Sequence, residues 1–171
     1  MLFLRRHERL VLNRWVIFLL VLIVSASFPA VASAKPVVAL KLSGAYVEQA
    51  GDGTVRLQPL RSEGAKQGER IRWDIVAANT GDVPALALIP VGRIPAGTAF
   101  VPGSASTGGR VEYSLDNGKT WSAAPTVIVQ TPDGPKSQKA DPATYTRIRW
   151  VAAPALKPGA SVHYTYEVVV K

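Results

Sequence analysis

The sequence predicts an all-β protein built as an antiparallel two-layer sandwich, and three observations predict it. Apolar and polar residues alternate along residues 35–171, Gly or Pro interrupts the alternation roughly every eight to fifteen positions, and no stretch there reads as a helix of useful length. The chain has 171 residues, with 14 Gly, 13 Pro and no Cys. That length suits one domain around one core and is too short for a full α/β barrel. The lack of cysteine excludes disulfide scaffolds, thiolate metal sites and cysteine nucleophiles.

The first element is a targeting segment, residues 1–34. Arg5, Arg6, Arg9 and Arg14 precede an apolar run that thins into small residues and ends Ala32-Ser33-Ala34. A basic start, a short apolar helix and an Ala-x-Ala end form the secretory signal pattern, which predicts cleavage after Ala34. Retention as an anchor is the alternative, because residues 15–34 carry no charge. Ser25, Ser27, Pro29 and Ser33 dilute that run and favour cleavage. Export to the periplasm, cell surface or medium follows. Residues 35–171 then hold sixteen Lys plus Arg against eleven Asp plus Glu, a net charge of +5. An exported chain of this balance points away from nucleic acid and toward an envelope or surface protein or an anionic glycan. The membrane is a partner only through the N-terminal segment, if that is retained.

Residues 35–65 carry the first strands. Residues 37–42 form one; residues 46–48 and 54–57 flank a hairpin turn at Ala50-Gly51-Asp52-Gly53. The main body spans residues 66–171. Residues 70–77 alternate most clearly, with Ile71, Trp73 and Ile75 on one face and Arg70, Arg72 and Asp74 on the other. They stop at the turn signal Asn79-Thr80-Gly81-Asp82. Residues 85–91 read as a buried apolar strand, and residues 99–101, 110–115 and 126–130 as further strands. Residues 131–144 read as a long polar connection, before a final pair at 145–152 and 161–170. These make about nine strands, as a two-sheet sandwich needs. Ile71-Arg72-Trp73 and Ile148-Arg149-Trp150 echo each other, so Trp73 and Trp150 are both expected inside the core.

The order of motifs resembles a known family. The strand ending in Asn79-Thr80-Gly81, then Ile94-Pro95-Ala96-Gly97-Thr98, Val101-Pro102-Gly103-Ser104, Trp150 and Leu156-Lys157-Pro158-Gly159 are similar to the conserved-repeat domain of bacterial surface proteins, domain of unknown function 11. The resemblance implies an immunoglobulin-like β-sandwich acting as a structural module, with no catalysis and no cofactor. Gly92-Arg93 stand where that family usually carries Asp before its Pro-x-Gly turn, and family members commonly come in tandem arrays where this chain has one copy. A second local match, Ser114-Leu115-Asp116-Asn117-Gly118-Lys119-Thr120-Trp121, is similar to the Asp-box of sialidase propellers. One domain cannot hold several propeller blades, so Asp116 and Gly118 are expected to staple a hairpin rather than mark a glycosidase.

Chemistry-bearing residues are few. His163 is the one histidine after the N-terminal segment, and it lies in an alternating strand with no nucleophile motif. Asp and Asn in turns offer oxygen ligands without the spacing of a calcium loop. Lys41 and Asn79 are conceivable partners for an isopeptide bond, although the turn already explains Asn79. Arg70, Arg72, Arg147 and Arg149 form an outward basic stripe if their strands are neighbours, and Trp121 offers a stacking surface for a sugar. The expected function is therefore an exported, non-catalytic structural or protein-interaction module of the bacterial envelope. Binding of an anionic envelope polysaccharide or other surface ligand is the alternative.

Overall fold

Alternation and turn chemistry produce ten strands within residues 34–151 and 154–171, the part of the chain that the computed structural model describes. The expected signal helix, with Ala32, lies outside those residues. In chain order the strands are β1 (Val38–Gln49), β2 (Val55–Pro59), β3 (Arg70–Asn79), β4 (Val91–Arg93), β5 (Thr98–Phe100), β6 (Arg110–Ser114), β7 (Thr126–Thr131), β8 (Gly134–Lys139), β9 (Arg147–Val151) and β10 (Ser161–Val170). Every strand pairing is antiparallel. One sheet has five strands in the order β2-β1-β3-β10-β5, a second has three in the order β4-β9-β6, and β7 and β8 pair only with each other. The fold is all-β and sandwich-like, as the sequence predicts.

The two larger sheets meet through the faces that a period of two makes apolar. Ile71, Ile75 and Ala77 on β3 and Tyr164, Tyr166 and Val168 on β10 are buried on one side, with Ile148 and Trp150 of β9 buried on the other. Trp150 is wholly enclosed, its ring centroid 5.3 Å from Tyr164 and 6.2 Å from Tyr166 in tilted contact. Its Nε1–H donates to the carbonyl of Ser106 at 3.0 Å, so the buried polar atom is satisfied. Gly92 on β4 lets the sheets approach: a Cβ there would lie 2.6 Å from Cε1 of Tyr166. Beside this centre, Tyr113 packs 5.0 Å from Phe100 and 4.7 Å from Tyr145.

The structure corrects four expectations. The strands expected at 37–42 and 46–48 merge into a single twelve-residue strand, β1, which starts at Val38, because pairing with β3 runs unbroken from Val38 to Tyr46. The N-terminal strands are thus an integral part of the main sheet. Residues 85–91 do not form a strand. Pro84 and Pro90 cannot donate to a ladder, Ala87 takes a φ of 52°, and only Ala85 forms a bridge, with Leu156. Residues 131–144 include β8 and a short 3-10 turn, Pro142–Thr144. Finally, Trp73 sits at the margin of the core rather than sealed within it, and its Nε1–H is buried with no acceptor among the described residues.

That last difference separates the two indoles energetically. Trp150→Ala should lower the unfolding free energy by about 3–5 kcal/mol through lost packing. Trp73→Phe should change it by less than about 1 kcal/mol, because losing an unsatisfied donor offsets the lost area. Chemical denaturation of both variants checks this, and equal costs at the two positions would contradict the placement.

Candidate functional site

The candidate surfaces start with the arginines. Arg70 and Arg72 lie on β3 in the five-stranded sheet, whereas Arg147 and Arg149 lie on β9 in the three-stranded one. The expected single stripe therefore does not exist. Arg70 and Arg72 instead close on one buried carboxylate and Arg149 on another, both missed by sequence reasoning. Glu167, only 5% exposed, accepts from Arg70 at 2.6 Å and from Arg72 at 2.7 and 3.1 Å. Glu112, 7% exposed, accepts from Arg149 at 2.6 and 2.8 Å and pairs with Arg110 at 2.7 Å. A carboxylate this far from water needs such partners. The hydrogen bonds from Arg149 hold the Glu112 carboxyl below its ordinary range. Glu69 pairs with Arg61 rather than with the β3 arginines, and Asp74 faces His163 at 3.0 Å.

The Asp-box segment forms the expected staple. Asn117 and Gly118 take positive φ values of 59° and 91°, turning the chain directly after β6. Asp116 then accepts the backbone N–H groups of Thr120 and Lys119 at 2.9 and 3.0 Å, with hydroxyl bonds from Thr120 and Ser114 at 2.7 Å each. These bonds, the Thr120 N–H foremost, hold the Asp116 carboxyl far below the usual carboxylate range. The indole of Trp121 donates to the Gly118 carbonyl at 3.0 Å, and the guanidinium of Arg149 lies 4.5 Å from its ring centroid. Arg147 donates to the Asn117 carbonyl at 2.9 Å. Trp121 thus carries an arginine on one face, and Asp116 spends its oxygens on its own turn.

Two depressions stand out, of about 200 and 150 Å³. Both are smaller than the ~300–1,000 Å³ that small-molecule pockets occupy. The larger lies around Arg93, Thr98, Asn117 and Tyr145, and the smaller around Tyr46, Arg61 and Glu69. His163 lines neither. It is exposed beside Asp74 on the outer face of the five-stranded sheet. Among the described residues no group of three or more His, Asp or Glu is placed to hold a metal ion. Lys41 and Asn79 cannot be bridged, since Lys41 pairs with Val76 and points outward, while Asn79 is buried and donates to the carbonyls of Val83 and Leu156.

The most unusual surface is one that alternation alone did not reveal. β1 pairs with β3 over residues 38–46 but with β2 only over residues 45–49, so residues 38–44 line a sheet edge that is open among the described residues. The Val37 carbonyl accepts from Thr80 in β3's direction, and the Ala50 N–H donates to Thr54 in β2's direction. By alternation, the N–H and C=O groups of Val38, Leu40, Leu42 and Gly44 point out of the open edge. Leu40 and Leu42 stand opposite the buried Ala77 and Ile75, hence on the core-facing side, yet they are 62% and 60% exposed. The reason is a mismatch of layers. β4 of the smaller sheet packs over Tyr166 of β10, as Gly92 shows, and β6 reaches Phe100 of β5. Three strands do not extend to β1. The β7–β8 ribbon is a second exposed element, with Ile128 67% exposed.

Compared with known proteins, the chain matches no family model, no curated protein and no solved structure.

Hydrogen-bonded carboxylates, Asp116 and Glu112 among them, set an acid response. Asp116 and Glu112 both titrate lower folded than unfolded, so their stabilisation is complete above their unfolded values near pH 4 and is lost as pH falls toward the folded ones. Thermal unfolding between about pH 2 and 7 should show stability declining below about pH 4. Asp116→Asn should lower stability at neutral pH and flatten that decline. An unchanged acid slope in the variant would contradict the assignment.

Proposed function

We propose that the chain is an exported, immunoglobulin-like β-sandwich that acts without catalysis as a structural or protein-interaction module of the bacterial envelope. The observation that carries the interaction part of this reading is the open β1 edge with Leu40 and Leu42 uncovered beside it. An unpaired ladder next to exposed apolar side chains fits recognition by an extended segment, in which backbone bonds give affinity and alternate side chains give register. The Ala32-Ser33-Ala34 end of the basic-then-apolar N-terminal segment supports the exported part of the reading. The order of turns shared with the conserved-repeat domain supports the immunoglobulin-like part. The anionic-glycan alternative rested in part on a four-arginine stripe. With Arg70 and Arg72 closed on Glu167, and Arg149 on Glu112, that stripe does not support it.

The β10 strand is less suited to strand addition. β3 covers one side, and on the other β5 with Ser104 and Ser106 bonds it from Thr165 to Val170. A photo-crosslinking residue at Leu42 of the chain, expressed in a bacterium, tests the reading. We expect a mature N-terminus at Lys35 in the envelope fraction and a discrete crosslinked species there. An unprocessed chain confined to the cytosol, or no adduct, would overturn it.

A further inference from the structure

The open edge of β1 is complementary to itself. Resting on the interaction-module reading of the same edge, we propose that it pairs with β1 of a second copy, joining the two five-stranded sheets across a two-fold axis. The outward-pointing backbone groups belong to even-numbered residues, so hydrogen-bonded pairs in an antiparallel match join even to even. Two registers fit between Pro36 and the end of β2 at Pro59. In one, centred on Lys41, the two Lys41 residues face each other in a non-hydrogen-bonded pair, where side chains come closest and like charges repel.

The other register, centred on Leu40, removes that conflict. Leu40 pairs with Leu40 of the second copy, Leu42 with Val38, and Lys41 stands across from Ala39. A two-fold axis perpendicular to the sheet keeps both core-facing sides on one side. Val38, Leu40 and Leu42 of the two copies then form one apolar strip between the two small sheets. Such an isologous contact closes on itself and leaves no row of β1 groups to recruit further copies. β1 has no proline between residues 38 and 44 to block it.

The β7–β8 ribbon is the competing occupant. Its exposed Val127, Ile128 and Val129 could lie in the same slot and would produce an open-ended, head-to-tail assembly. The self-paired edge is favoured because Val38, Leu40 and Leu42 of both copies share one face, whereas alternation along β7 puts Ile128 on the opposite face from Val127 and Val129.

The cysteine-free chain makes the test direct, because one introduced thiol is the only one present. Single variants Ala39→Cys, Leu40→Cys, Lys41→Cys and Ile128→Cys are made in the protein as isolated from its producing cell, with Lys157→Cys as an exposed control. Under mild oxidation Leu40→Cys should form a covalent dimer quickly, since paired Cα atoms about 5.5 Å apart suit a disulfide. Ala39→Cys and Lys41→Cys should each react at the control rate alone, and rapidly when mixed with one another.

Sedimentation of the parent should show a dimer that dissociates on dilution, and Leu40→Lys should hold it monomeric with an unchanged melting temperature. Fastest self-crosslinking of Lys41→Cys, mixed dimers between Leu40→Cys and Ile128→Cys, or a parent monomeric at the highest attainable concentration would each overturn the proposal. The two readings fail separately. An exported monomer whose β1 edge binds a different envelope protein removes the dimer and keeps the module; a dimer never exported does the reverse.

Discussion

The contact on which the rest depends is the insertion of Trp150 between Tyr164 and Tyr166. With no disulfide available, the two layers are held by burial and shape alone, and this is where the largest side chains meet. Each neighbour is adapted to it. Gly92 yields space for Tyr166, and the Ser106 carbonyl receives the indole N–H. The phenol of Tyr166 donates to the Arg93 carbonyl, and burial raises its pKa, so it stays neutral and apolar-compatible. Centring the smaller sheet here also fixes what it cannot reach. A three-stranded layer placed over β10 and β5 leaves β1 on the far side of β3 without a cover.

The polar faces follow the same logic. A basic chain suggests free positive charge, yet Arg70, Arg72 and Arg149 are tied to Glu167 and Glu112 on opposite sheets. These are cross-strand devices: they lock β3 to β10 and β6 to β9 on the faces away from the core. The Asp116 turn extends the second lock, because Arg147 and Arg149 both reach the staple around Trp121. The β1 edge, by contrast, offers a partner backbone groups and leucine side chains.

Features governed by neighbouring residues were legible in the sequence. The alternation of residues 70–77 and 161–170 located β3 and β10, and the spacing from Ser114 to Trp121 gave the staple with its positive-φ pair. Features set by distant partners were not. The carboxylate that neutralises Arg70 and Arg72 lies more than ninety residues away, and no local pattern announces it. β8 has almost no apolar side chains to alternate, so it read as a connection. Residues 85–91 show the opposite failure: an apolar run reads as a buried strand until the flanking prolines are given their full weight. The open edge was invisible because strand order, and not strand content, creates it.

The account turns on β1 being half-paired, and amide hydrogen exchange measured residue by residue at high dilution tests that most directly. Ala39, Lys41 and Ser43 direct their N–H groups to β3 and should be protected, whereas Leu40 and Leu42 should exchange at near-solvent rates. Uniform protection along residues 38–44 at concentrations where the chain is monomeric would mean that the edge is covered, and would contradict the account.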